Sequence, residues 1–98
     1  MHKNMYFIKV SKRDLANQEK FGGDLRAVLW YSAMKDYAKR LGKDKLGYTR
    51  VSSATIKQDF GFDRMRVWRY NQDLEKRGLI AVDKASRGGR TWIGFKIL

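Results

Sequence analysis

The chain has no cysteine, so disulfides and thiolate metal sites are excluded. It has one histidine, His2, near the start of the sequence, and no nucleophile–base pair is evident. Enzymatic acyl transfer or hydrolysis therefore has no visible machinery. Asp59 and Asp63 are four apart, but Gly61 lies between them. Asp73 and Glu75 fall among Lys76 and Arg77 and read as surface ion-pair partners. A metal nuclease needs convergent carboxylates, which this arrangement does not offer. No cofactor or metal is expected. No apolar run approaches the roughly 20 residues of a membrane span, so no membrane partner is expected. The opening MHKNMYFIKV has only a short apolar stretch, interrupted by Lys9, and does not read as a secretory signal. No internal repeat or low-complexity tract is present.

Acidic residues are scarce as well. Ten Asp and Glu stand against 22 Lys and Arg, a formal net charge of +12 over 98 residues. That surplus opposes compaction and suits a polyanion, nucleic acid before an anionic membrane. The chain is 43% hydrophobic, enough for the core of one domain and too short for two.

Met5 to Val10 alternates as a short strand. Ser11 and Asp14 then resemble a weak capping box for a short helix, broken at Phe21-Gly22-Gly23. Asp24 is placed to cap a long helix, LRAVLWYSAMKDYAKRL. Leu25, Val28, Leu29, Ala33, Tyr37 and Leu41 recur at helical spacing and predict its buried face, widened by Trp30, Tyr31 and Met34. Those aromatics read as core or dimer contact. After the charged loop GKDKLG, Tyr48 to Val51 reads as a short strand. Ser52 or Ser53 caps a second helix, ATIKQDF, with Ile56 and Phe60 on one side. Gly61 can take the positive φ that ends it, Phe62 is an apolar plug, and Asp63 caps a third helix running to Arg77. Val67, Tyr70 and Leu74 are its expected inner side. Leu79 to Val82 and TWIGFKIL read as two strands joined by the basic loop DKASRGGR, with Ile93, Phe95 and Ile97 facing the core.

The stretch DRMRVWRY poses a problem of charge. Arg64 and Arg66 fall near the positive end of a helix dipole, where each cation is disfavoured by roughly 0.3–1 kcal/mol. A local rule broken without local gain often marks a functional site.

The stretch SSATIKQDFGFDRMRVWRYNQDLEKRGLI resembles the helix-turn-helix of a winged-helix domain: a capped short helix, a glycine turn, then a helix ending in Leu74-Glu75-Lys76-Arg77-Gly78-Leu79-Ile80. The hairpin AVDKASRGGRTWIGFKIL resembles the wing. The likeness covers roughly residues 24–98 and extends more loosely to small plasmid- and phage-encoded DNA-binding proteins and initiator domains. It implies an α+β fold, a winged helix-turn-helix with a three-helix core and a C-terminal β-hairpin wing, in residues 24–98. Residues 1–23 form an N-terminal extension of strand and short helix, a candidate dimer contact. One position departs from the pattern. The residue four after Val67 is Asn71, where the family usually has an aliphatic side chain. Either the helix is rotated or Tyr70 fills the gap with Asn71 bonded at the edge, and the outward residue among Trp68, Tyr70 and Asn71 changes accordingly.

In the family the third helix enters the DNA major groove. The resemblance makes Arg64, Arg66, Trp68, Arg69 and Gln72 the expected base-reading side. Lys84, Arg87 and Arg90, around Gly88-Gly89, would follow the sugar-phosphate backbone from the wing. Ser52, Ser53 and Thr55, with Lys57 and Arg50, would hold phosphates at the start of the second helix. The expected function is sequence-specific binding of double-stranded DNA by a homodimer. Its role would be that of a transcriptional regulator or a plasmid or phage partition or replication factor, cytoplasmic in a prokaryote, nucleoid- or plasmid-associated, with a partition or replication protein as a further partner. The alternatives are an RNA or single-strand binder, which exposed Trp68 and Trp92 would favour, and a protein adaptor.

Overall fold

Capping and periodicity place the helices, and one aromatic cluster packs them together. The computed structural model describes residues 12–83 and 92–98. The expected strand at Met5–Val10, Ser11, and the hairpin residues Lys84, Arg87 and Arg90 lie outside these. The order is α1 (Lys12–Ala16), a 3-10 turn (Gln18–Phe21), α2 (Leu25–Leu41), β1 (Thr49–Ser52), α3 (Ser53–Phe60), α4 (Arg64–Lys76), β2 (Ile80–Val82) and β3 (Trp92–Ile97). The fold is α+β: among the described residues, four α-helices and a three-stranded antiparallel sheet.

Each of the three longer helices begins on a side-chain oxygen that accepts from a backbone N–H otherwise left without a partner. Asp24 accepts from the Arg26 N–H, Ser52 from Thr55 and Asp63 from Arg66. α3 ends at Gly61, whose φ of 75° is the left-handed value that a β-carbon disfavours. This turn lets Phe60 and Phe62 stack, centroids 5.9 Å apart. Trp30 of α2 meets both edge-on, at 6.2 and 6.1 Å, and Tyr70 of α4 meets Phe62 at 5.8 Å. Such pairs add about 0.5–1.5 kcal/mol each beyond the area they bury. The corner between α3 and α4 is thereby held on α2.

The inner face of α2 differs from the sequence expectation at its ends. Leu25 and Leu41 are 56% and 54% exposed, while Trp30, Ala33 and Met34 are fully buried. The stripe is centred on Ala27, Trp30, Met34 and Tyr37: at about 100° per residue Leu25 turns away from it, whereas Leu41 is in phase with Met34 and Tyr37 but is the last residue of the helix. Trp30 and Tyr31 are both buried within the chain, so neither is free surface for a dimer. Before α2, Phe21 is buried and its ring lies 5.3 Å from that of Tyr31. Asp14, nearly fully buried, receives Lys35 at 2.8 Å and Lys20 at 3.5 Å. Burial alone would raise its carboxyl, but the Lys35 bond and the charges of Lys35 and Lys20 outweigh that and hold it below the usual 3.8.

The sheet has the order β1-β3-β2. β3 pairs with β2 as the hairpin requires, Val82 opposite Phe95. It also pairs with β1, Thr49 opposite Phe95 and Val51 opposite Ile93. Ile93 and Phe95 enter the core, and Trp92 points away, 54% exposed. Gly94 lies opposite Arg50, and a β-carbon there would come within 2.8 Å of the Arg50 guanidinium and 3.0 Å of Asp83 Cβ. Its hydrogen is what admits an ion pair across the strand, Arg50 bridging to Asp83 and to Asp44 at 3.1 Å. The N–H groups of Tyr48 and Leu46, together with Arg50, hold the Asp44 carboxyl below its ordinary value.

Candidate nucleic-acid interface

The rotation of α4 decides what this region offers a partner. Val67, Asn71 and Leu74 face inward, with Tyr70 half-buried against Phe62. The Trp30 indole N–H donates to Asn71 Oδ1 at 2.8 Å, both side chains buried. Asn71 therefore occupies the expected aliphatic position as the partner of a buried donor, and of the three residues left open by the sequence only Trp68 faces outward, 42% exposed.

Helical geometry turns about 100° per residue. Opposite the Val67–Leu74 side stand Met65, Arg69, Gln72 and Lys76, all exposed. Trp68 flanks this stripe on one side and Arg66 on the other. Met65 is 59% exposed at its N-terminal end. Met65 and Lys76 were absent from the sequence-derived set, although counting from Val67 finds both. Arg64, Arg66, Arg69 and Gln72 are exposed as expected, but not equivalently. Arg66 lies over the Phe62 ring, 5.9 Å from its centroid. Arg64 borders a shallow groove between the starts of α3 and α4, lined also by Ser53, Ala54, Lys57, Phe62 and Asp63. The Asp63 carboxylate at the head of α4 partly offsets the two arginines that stand at the wrong end of the dipole.

The expected phosphate contacts divide. Lys57 is exposed and, among the described residues, is in no ion pair; Ser53 is half-buried in the same groove. Ser52 is committed to capping α3, and its hydroxyl donates to Thr55 Oγ1 at 2.8 Å, so both hydroxyls already have partners. The Arg50 guanidinium is held by Asp44 and Asp83, so a phosphate would compete with two carboxylates for it.

The acidic side chains are largely committed elsewhere. Asp24 and Asp63 cap helices, Asp36 and Asp73 pair with Arg40 and Arg77, and Asp59 accepts from the Tyr37 hydroxyl at 2.7 Å. Glu75 accepts from the Val82 N–H at 3.3 Å, a contact the sequence did not suggest. On the outer side of α4, Asp73 stands beside Arg69 and Lys76, already held by Arg77 at 2.8 Å. What remains is a helix face rich in donors and positive charge.

Among the described residues, no His, Asp and Glu group could hold a metal ion, and no helix is long and apolar enough to cross a membrane. A scan against protein-family models finds no match, and searches of curated proteins and of solved structures likewise find none.

Proposed function

We propose that the chain is a winged helix-turn-helix protein that binds double-stranded DNA sequence-specifically, with α4 as its recognition helix and the β2–β3 hairpin as its wing. The observation that carries the reading is the outer face of α4, where Arg69, Gln72 and Lys76 stand exposed between Arg66 and Trp68. The element order from α2 to β3 supports the fold assignment, and the net charge of +12 supports the choice of partner. Arginine recognises the O6 and N7 of guanine with two hydrogen bonds, and glutamine the N6 and N7 of adenine. Lys57 and the wing residues Lys84, Arg87 and Arg90 supply phosphate contacts in this reading. The protein acts as a homodimer, cytoplasmic and nucleoid- or plasmid-associated, in transcription or in plasmid or phage partition or replication.

Exposed Trp68 and Trp92 favour a second reading, single-strand or RNA binding by stacking. One experiment separates the two. Labelled duplex carrying a selected site is challenged with random duplex, single-stranded DNA and structured RNA at several salt concentrations. With five or six cations on phosphates, log K should fall against log salt with a slope of about −4 to −6. Arg69→Ala should cost about 1–3 kcal/mol on the selected site and relax one base position. A flat salt response, or stronger competition by RNA or single strands, defeats the duplex reading.

A further inference from the structure

Met65 is an exposed apolar side chain among the exposed polar residues Arg66, Arg69 and Gln72. Isolated exposed hydrophobic residues are ordinary, so exposure alone says little. Position says more. Met65, Arg69 and Gln72 follow one another at i, i+4 and i+7, along one stripe on the side of α4 away from Val67 and Leu74. At about 1.5 Å per residue the stripe is roughly 10 Å long. Base pairs are stacked about 3.4 Å apart, so it spans about three of them. The major groove presents donors and acceptors, which suit Arg69 and Gln72, and one apolar group, the C5-methyl of thymine. A thioether chain is flexible and polarisable, suited to a methyl group whose position varies slightly.

Resting on the duplex-binding reading, we infer that Met65 is a specificity-determining residue that packs on a thymine methyl. It thereby defines a subsite of about three base pairs together with the bases read by Arg69 and Gln72. The occupant is the major groove of B-form DNA, favoured by Arg69 and Lys76 on the stripe and Arg66 beside it.

The test starts from the duplex selected by the full-length protein out of a randomised pool. Each thymine in the selected site is replaced in turn by deoxyuridine, which removes only the methyl group. At one position the wild-type protein should lose about three- to fivefold in affinity, what burying one methyl group is worth. Met65→Ala should bind the thymine site weaker by a similar factor and lose almost nothing further on deoxyuridine. Met65→Leu, which keeps an apolar side chain, should retain the thymine preference. Far-UV circular dichroism confirms that the variants fold, which the exposure of Met65 favours. Selective duplex binding with no deoxyuridine-sensitive thymine, or an equal penalty in wild type and Met65→Ala, overturns the role of Met65 and leaves the duplex reading standing. Absence of any selected duplex, or preference for RNA or single strands, overturns both.

Discussion

Replacing Asn71 tests how α4 is oriented. The Asn71 side chain is buried and accepts from the Trp30 indole N–H at 2.8 Å, and Trp30 is fully buried. Among the described residues no buried side-chain nitrogen or oxygen lacks a partner. Asn71→Leu puts an aliphatic group of the same branching, though bulkier, in this place and strands the indole donor. Leaving such a donor unpaired costs about 1–3 kcal/mol. For a domain of this size each kcal/mol lowers the melting temperature by about 4–8 °C, so a loss of roughly 10 °C is expected. Asn71→Ala should be worse, because a small cavity is added to the same unpaired group. Trp30→Phe in the Asn71→Leu background removes the stranded donor. The double variant should therefore be more stable than the sum of the single losses predicts, by about 1–2 kcal/mol. Urea unfolding followed by far-UV circular dichroism is the suitable assay, since fluorescence would lose Trp30 itself. Asn71→Leu at or above wild-type stability, or strict additivity in the double variant, would refute the reasoning and with it the account of what fixes the rotation of α4.

Gly94→Ala drives a β-carbon toward the Arg50 guanidinium and Asp83 Cβ, and should destabilise by about 1–3 kcal/mol in urea unfolding; a wild-type midpoint would show that the ion pair over β3 shifts aside freely. Asp14 has a folded-state carboxyl below its unfolded value of 3.8, so its contribution is present above that pH and is lost as pH falls through the folded value. Asp14→Asn should therefore be less stable than wild type near about pH 6 and converge with it near about pH 2. Parallel unfolding curves at both extremes would remove Asp14 from the acid response.

The sequence by itself determined features that depend on neighbours a few residues apart. Asp24 and Asp63 cap their helices because a carboxylate reaches an N–H two or three residues onward, whatever the rest of the chain does, and the same rule narrowed the cap of α3 to Ser52 or Ser53, of which the structure uses Ser52. Gly61 marked its turn for the same local reason, and alternation along β3 identified Ile93 and Phe95 as core. The concentration of arginines at the start of α4 was legible in the sequence, and the winged-helix resemblance made it a candidate binding side. Contacts between distant segments were not legible. Trp30 and Asn71 are 41 residues apart, and an asparagine amid a polar helix gives no signal that it accepts from a buried indole. Asp14 looked like half of a capping box until Lys35, 21 residues away, was brought to it. The ion pair of Arg50 with Asp83 was not legible either, because the pairing of β1 with β3, which places the two side by side, depends on how the strands assemble. Leu25 falls outside the face that α2 presents to the Phe60–Phe62 corner, and Leu41 lies in phase with that face but at the last residue of the helix, where it is exposed. Periodicity defines a stripe, and only packing against other elements selects which edge of that stripe is buried. The same packing turns Met65 and Lys76 outward beside Arg69, a consequence of how Val67, Asn71 and Leu74 seat in the core.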